Sequence, residues 1–452
     1  MASTAPRSPS PRSPYRILIW LAVAVAVVAG LALLVPRSVF APALKEHAPS
    51  SGAPRSFSEA LLRADQNLDG AKVLAATRSD EWLIDEKLAT NYITRARLTG
   101  SFEDFAAARS AMEQAFRVAE PNTGPHRTLA ALEFTMHRLA ATEAALDAID
   151  KYKVEPDEGL RSEAAAIRGD IAFYRGHYTA ALKQYQAVGA VIDGQGIAFR
   201  MAVYQGKTGA IDDAIRGFSV LAAQPLLPSA QMLSSLASIR GGLELQHGNW
   251  DRATGYYIRA DTVFPGYWLA QAQRAQMLAL AGDRAAAIRI DEAIVRRGDY
   301  PEVMDALASL YRANGDAARS RLWADRAGAS WARRMTLFPE AAAGHAAEHE
   351  LAFGDPKRAL AFAQIDFAAR PYAASAIALG WAWLANNRPA DALKTILPVL
   401  DSEWVSADQH LVAAQAYTML GRGDEADAQQ QKALAINPRA TDTATALIWF
   451  GH

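Results

Sequence analysis

The sequence predicts an all-α protein, an α-solenoid of helical hairpins preceded by a single N-terminal transmembrane helix. Three observations predict it. The chain has 452 residues, 51% apolar but only 9% aromatic, too long for one buried core, so it must form several domains or an elongated array. A glycine followed by a short turn and an alanine-rich run recurs at intervals of 33 to 39 residues. Near the N-terminus lies one long uncharged apolar stretch.

The elements follow in order. Residues 1–16, MASTAPRSPSPRSPYR, are basic and rich in Pro and Ser, a composition that builds no core and predicts a disordered tail. Residues 17–35, ILIWLAVAVAVVAGLALLV, form nineteen consecutive residues without a charge. As a helix they span roughly 28 Å at ~1.5 Å per residue, close to the hydrocarbon thickness of a bilayer. Tyr15 and Trp20 sit at its N-terminal edge, and Arg7, Arg12 and Arg16 precede it, so the positive-inside rule keeps the N-terminus cytoplasmic and exports the rest. Ala41-Pro42-Ala43 offers an alternative, a cleaved secretory signal, which also exports the body. Residues 36–56 carry Pro36, Pro42, Pro49 and Pro54 with Ser50, Ser51 and Gly52, an extended linker. The remainder, residues 57–452, is expected to be the solenoid.

Gly176, Gly209, Gly248, Gly282, Gly315, Gly354, Asn387 and Gly421 set the repeat register, with two longer intervals accommodating insertions around Gln224 to Pro228 and Trp331 to Pro339. Each marker sits between two stretches with apolar residues at helical spacing, so each is the turn of a hairpin. Gly100-Ser101-Phe102 opens an earlier copy, and the interval from there to Gly176 has room for a degenerate one around His126 to Asp150. About nine or ten hairpins result. Thr441 to Phe450 reads as a closing helix, with Trp449 and Phe450 covering the last hairpin.

The spacing resembles the tetratricopeptide repeat (TPR) family, of the membrane-anchored bacterial type. The resemblance is carried by the pairs Gly169/Gly176, Gly241/Gly248 and Gly380/Asn387, by the triplets Tyr178/Ala181/Tyr185 and Trp250/Ala253/Tyr257, and by the final copy LGRGDEADAQQQKALAINP, with Gly421, Ala426, Ala433 and Pro438 after Tyr417. In the middle, Arg284, Ala317 and Pro356 stand where an aromatic is usual. The resemblance implies a right-handed superhelix whose first helices line a concave groove for peptides or partner proteins. The groove positions it implies are Phe199, Val203 and Lys207; Ser235, Ser238, Gly242, Leu245 and Gln246; and Ala374, Ile377, Trp381 and Leu384. The Lys and Asn clamp with which some family members grip a carboxylate is absent, and without cysteine there is no zinc ribbon.

Composition and motifs exclude most other chemistries. Lys+Arg number 47 against 48 Asp+Glu, which leaves no global field to draw in nucleic acid, and zero cysteines remove disulfides, thiolate metal sites and Cys nucleophiles. His345-Ala346-Ala347-Glu348-His349 matches the H-x-x-E-H pattern of inverted zinc peptidases, and a metal-dependent hydrolase using His345, Glu348 and His349 is the alternative from another class. In the repeat register these histidines fall on the outer side of a hairpin's first helix. Gly206-Lys207-Thr208 matches the end of a phosphate-binding loop, but Met201 occupies the position of its first glycine. Nothing calls for a cofactor, a bound metal or a small-molecule substrate. The resemblance and the apolar run together imply a non-enzymatic membrane-anchored scaffold or adaptor binding a protein or peptide partner on the extracytoplasmic, periplasmic side of an inner membrane, as an accessory to envelope assembly, secretion or maturation machinery. The alternatives are the metal-dependent hydrolase and a soluble exported binding protein.

Overall fold

The computed structural model describes residues 52–78, 80–192, 194–224 and 229–450. The predicted tail, membrane helix and most of the linker lie outside the described residues. No helix among the described residues is long and apolar enough to cross a membrane.

Among the described residues there are twenty-one α-helices and no strand. They are α1 (Phe57–Thr77), α2 (Trp82–Thr99), α3 (Phe102–Val118), α4 (His126–Thr135), α5 (Leu139–Ile149), α6 (Glu158–Tyr174), α7 (Tyr178–Gly189), α8 (Gln195–Lys207), α9 (Ile211–Ala222), α10 (Ala230–Gln246) and α11 (Trp250–Val263). There follow α12 (Trp268–Leu280), α13 (Arg284–Val295), α14 (Pro301–Ala313), α15 (Ala317–Leu337), α16 (Pro339–Phe353), α17 (Pro356–Ala369), α18 (Ala373–Ala385), α19 (Pro389–Leu400), α20 (Ala407–Met419) and α21 (Gly423–Ile436), then a 3₁₀ turn, Thr443–Leu447. After α1 the helices pair as ten hairpins, α2–α3 through α20–α21.

Local chemistry marks where eleven of these helices start. Ser56, Ser101, Asp157, Ser229, Asp283, Asp316, Asp355 and Ser406 each accept a backbone N–H of their helix's first turn. Pro301, Pro339, Pro356 and Pro389 open theirs, where a missing N–H costs nothing. Eight of the ten hairpin turns close with one motif, in which a residue in the left-handed region is followed by an N–H bonded to the carbonyl five residues back, as in Asn249 to Glu244 and Arg388 to Trp383. His137 and Asn387 take the left-handed position that glycine holds in the other six. Gly354 differs from the rest. Its φ is −117°, and a Cβ there would meet the Glu350 carboxylate, which accepts the Asp355 N–H at 2.9 Å, so glycine is needed for close approach and not for handedness.

Within a hairpin, glycine on the first helix lets an aromatic of the second lie flat against it. A Cβ on Gly241 would stand 2.6 Å from Tyr257, and one on Gly169 2.7 Å from Tyr185. The first helices also touch one another, α10 to α12 to α14 and α16 to α18 to α20, and so form the inner layer of the stack. The insertion expected around Trp331 lengthens α15 to 21 residues.

The superhelix closes on itself. Hairpin turns of one superhelical turn meet the junctions between hairpins of the next: His137 donates from Nδ1 to the Glu340 carbonyl, the Tyr178 hydroxyl accepts the Ala373 N–H, and the Lys207 carbonyl accepts the Val405 N–H. Phe173, Tyr178, Tyr372 and Trp404 pack together across this seam. From the α6–α7 turn to its partner before α18 is six hairpins, so the ten hairpins wind past one full turn with successive turns in contact.

Candidate peptide-binding groove

The first helices present the groove, and the structure divides its expected residues into three groups. On α18, Ala374, Ile377, Ala378 and Trp381, three and four residues apart, are half-buried while the rest of the helix through Leu384 is mostly buried, so Ile377 and Trp381 lie on its accessible stripe. On α8, Phe199 and Val203 are half-buried, with the Phe199 ring edge-on to Phe218 of the paired helix. Gln246, Ser235 and Gly242 on α10 are half-buried as well.

Three expected residues serve packing instead. Leu245 is buried with Ala253, Tyr257 and Met277, Leu384 is buried in the large cluster around α18 to α20, and Ser238 is buried with no hydrogen-bond partner for its hydroxyl among the described residues. Lys207 belongs to the seam. Its ammonium lies 5.3 Å from the Trp404 ring centroid, and burial pulls its pKa down against the opposing charge of Asp408.

The H-x-x-E-H residues do not converge on a common point. His345 donates from Nδ1 to Glu348 at 3.1 Å and stacks on Trp331, while His349, buried, donates to Asp305 of α14 at 2.6 Å. The expectation of an outer, solvated face is therefore corrected for His349, because Asp305 supplies a buried acceptor one hairpin earlier. That carboxylate also accepts the Trp331 indole N–H at 2.8 Å. Burial raises the Asp305 pKa, against the His349 and Trp331 hydrogen bonds. At His345 burial works against the charged form, but Glu348, Glu302 and Asp366 outweigh it and raise the pKa. No group of three or more His, Asp or Glu among the described residues could hold a metal ion.

The concave face is occupied over its middle by the C-terminal segment. A helix covering the last hairpin was expected from Thr441 to Phe450; instead the 3₁₀ turn Thr443–Leu447 lies on α12 and α14, far from α20–α21 in sequence. The five-residue turn is too short to bury a face alone, and the apolar run Leu447-Ile448-Trp449-Phe450 finds its cover across the groove. The Gln276 side-chain carbonyl accepts both the Trp449 and the Phe450 backbone N–H, at 2.6 and 2.8 Å. The Trp449 indole donates to Ser309 of α14 at 2.9 Å, and its ring stacks parallel on Phe353 of α16 at 5.9 Å between centroids. The Tyr257 hydroxyl donates to the Phe450 carbonyl at 3.4 Å. Thus three successive first helices and Tyr257 of α11 read one short stretch of chain whose backbone bends at Trp449 and Phe450.

Sequence reasoning missed Gln276, Ser309 and Phe353. The usable signal was twofold. Four large apolar residues at the end of a chain demand burial somewhere, and Gln276 and Ser309 are polar residues among the alanines of inner helices, where an unpaired polar group is costly.

No family model matches the chain, and no curated protein matches it. Among solved structures, a chain of the crystal structure of the APC/C hetero-tetramer Cut9–Hcn1 aligns over 87% of this chain and 83% of its own, at 14% identity and a TM-score of 0.37. A tetratricopeptide repeat protein from Parabacteroides merdae aligns over 64% of this chain and 98% of its own, at 12% identity and a TM-score of 0.27. The C-terminal part of a TPR repeat-containing protein from Cytophaga hutchinsonii aligns over 63% and 99%, at 16% identity and a TM-score of 0.28.

Proposed function

We propose that the chain is a non-enzymatic, membrane-anchored scaffold whose solenoid binds a protein or peptide partner on the extracytoplasmic side, as an accessory to envelope assembly, secretion or maturation machinery. The observation that carries the binding half is the pair of backbone N–H groups accepted by Gln276. A side chain placed to read main chain, within a layer of small inner-helix residues, suits a peptide whose backbone turns so that two consecutive N–H groups face one acceptor. Contact between successive superhelical turns narrows the choice further, since a folded domain has no lateral entry where the seam is closed. The anchoring half is supported by the charge-free run from Ile17 to Val35 and the arginines before it.

A photoreactive side chain at Trp381, on the accessible stripe of α18, tests the binding half in native membranes, with Leu322 as the control because it is exposed on α15, a second helix. A discrete crosslinked partner from Trp381 alone is expected, and equal capture from both positions contradicts groove recognition. Resistance of the chain to alkaline extraction, with an intact mass that retains residues 1–43, is the expected result for the anchor. Loss of those residues would favour an exported soluble binding protein.

A further inference from the structure

We infer that the groove over α12, α14 and α16 is a recognition site for peptides bearing a large apolar residue followed by Trp-Phe, bound with a bend at the aromatic pair, and that this chain's own segment Ile448–Phe450 occupies it in cis as a competitor. This rests on the scaffold reading above and names its ligand class.

The contacts are those of peptide recognition. Main chain is read by Gln276, which accepts two consecutive N–H groups, and by Tyr257, which donates to the carbonyl that follows. Side chains are read separately: Ser309 accepts the indole N–H and Phe353 stacks on the indole, with the Arg312 guanidinium 4.6 Å from the Phe353 ring centroid. An amphipathic indole with its N–H satisfied and its face stacked is an anchor of the kind that dominates peptide interfaces. Gln276 is itself buried, and its Nε2 has no acceptor among the described residues, which leaves a donor for a carbonyl of a ligand. The resident segment reaches the site after a short connection from α21 and is held by a 3₁₀ turn and two aromatics, with no charged pair to the groove among the described residues. A partner peptide with the same anchors therefore competes for the same contacts, and its apparent affinity falls in proportion to the fraction of time the site is open.

The test uses the full chain and a fluorescent peptide corresponding to Thr441–His452, with a control peptide in which Trp449 and Phe450 are both alanine. Anisotropy titrations compare the wild type, Trp449→Ala, and Trp449→Ala combined with Gln276→Ala. Trp449→Ala is expected to bind the peptide roughly tenfold more tightly than wild type, because the site has been vacated. Adding Gln276→Ala is expected to reverse most of that gain, and the control peptide to bind none of the three. Should Trp449→Ala fail to give the wild-type helical signal, Phe450→Ala removes the resident segment's other aromatic, leaves every groove side chain in place and must show a gain of the same sign.

No gain in either folded variant, or a gain that survives Gln276→Ala, overturns the inference. Wild-type dimers that Trp449→Ala converts to monomers would mean that the segment is exchanged between copies, and would overturn occupancy in cis. A partner captured at Trp381 with no peptide gain would sink this inference and leave the scaffold reading standing. Peptide displacement with no partner captured would do the reverse.

Discussion

Helices α8 and α14 are both thirteen residues long and both first helices of their hairpins, yet they differ in exposure. In α14 ten residues are buried, from Pro301 to Tyr311 around the whole circumference, whereas α8 buries only Ala202, Tyr204 and Gly206. The paired helix and the neighbouring hairpins cover both. In α14 the helices α15 and α16 cover Met304 and Asp305, and the C-terminal segment adds cover on the inner side, with Trp449 on Ser309 and Leu447 near Leu310. The comparison teaches that a solenoid's inner face is not uniform. Where a segment of chain lies on it the face is core, and where none does, as at Phe199, Val203 and the stripe from Ala374 to Trp381, the same positions remain accessible.

The sharpest break between the two helices comes from Asp305→Ala. Asp305 is fully buried and accepts from both Trp331 and His349, so its removal leaves two buried donors unsatisfied. A loss of about 3 kcal/mol is expected by urea unfolding, against about 1 kcal/mol for Val203→Ala on half-exposed α8. Equal losses would erase the distinction.

Next in size is Trp449→Ala, expected to lower stability by about 2 kcal/mol, less than a fully buried Trp because the ring is half-buried. Limited proteolysis should show new cleavage after residue 436 with α8 unaffected.

Acid acts on the seam through His137. His137, pressed against Arg370 and bonded to the Glu340 carbonyl, has its pKa lowered to about 3, with burial the largest cause and Arg370 the next. Since the unfolded chain takes the proton first, near 6.5, the stability tied to neutral His137 is complete above that pH and is lost as pH falls towards 3. A crosslink engineered between the α4–α5 turn and the start of α16 should form less readily at pH 4.5 than at pH 7. The Trp449 contacts, made with Gln276, Ser309 and Phe353, contain no group that titrates in that window.

The smallest effect is expected at Gly255 on α11, where an added Cβ meets nothing within 4 Å. Gly255→Ala should stabilise the chain by roughly 0.5–1 kcal/mol in the same unfolding assay, through helix propensity alone. Gly241→Ala, whose Cβ would strike Tyr257 at 2.6 Å, should destabilise it.

The repeat was legible because its punctuation is local. A left-handed residue every 33 to 39 positions announces a turn whatever surrounds it, and Gly176, Gly209 and Gly248 all serve as read. His137 hid one turn because a non-glycine occupies the left-handed position, and Gly354 marked a turn for a different physical reason. The site was less legible. On α18 Ala374, Ile377 and Trp381, positions the resemblance implied, are half-buried while Leu384 is buried, and Leu384, Leu245, Ser238 and Lys207 depend on what neighbouring hairpins and the next superhelical turn bring against them. Closure of the superhelix joins residues some 195 positions apart, such as Tyr178 and Ala373, and no pattern within a single repeat encodes that distance. The landing of Trp449 on α14 is a contact of the same long-range kind.

Hydrogen exchange on the full chain, resolved to the amides of Trp449 and Phe450 and to helices α8 and α14, tests the central claim most directly. In the wild type both C-terminal amides should be protected by Gln276, and Gln276→Ala should release them and raise exchange across α14 while leaving α8 unchanged. Unprotected Trp449 and Phe450 amides in the wild type, or an equal response of α8 and α14, would contradict the account.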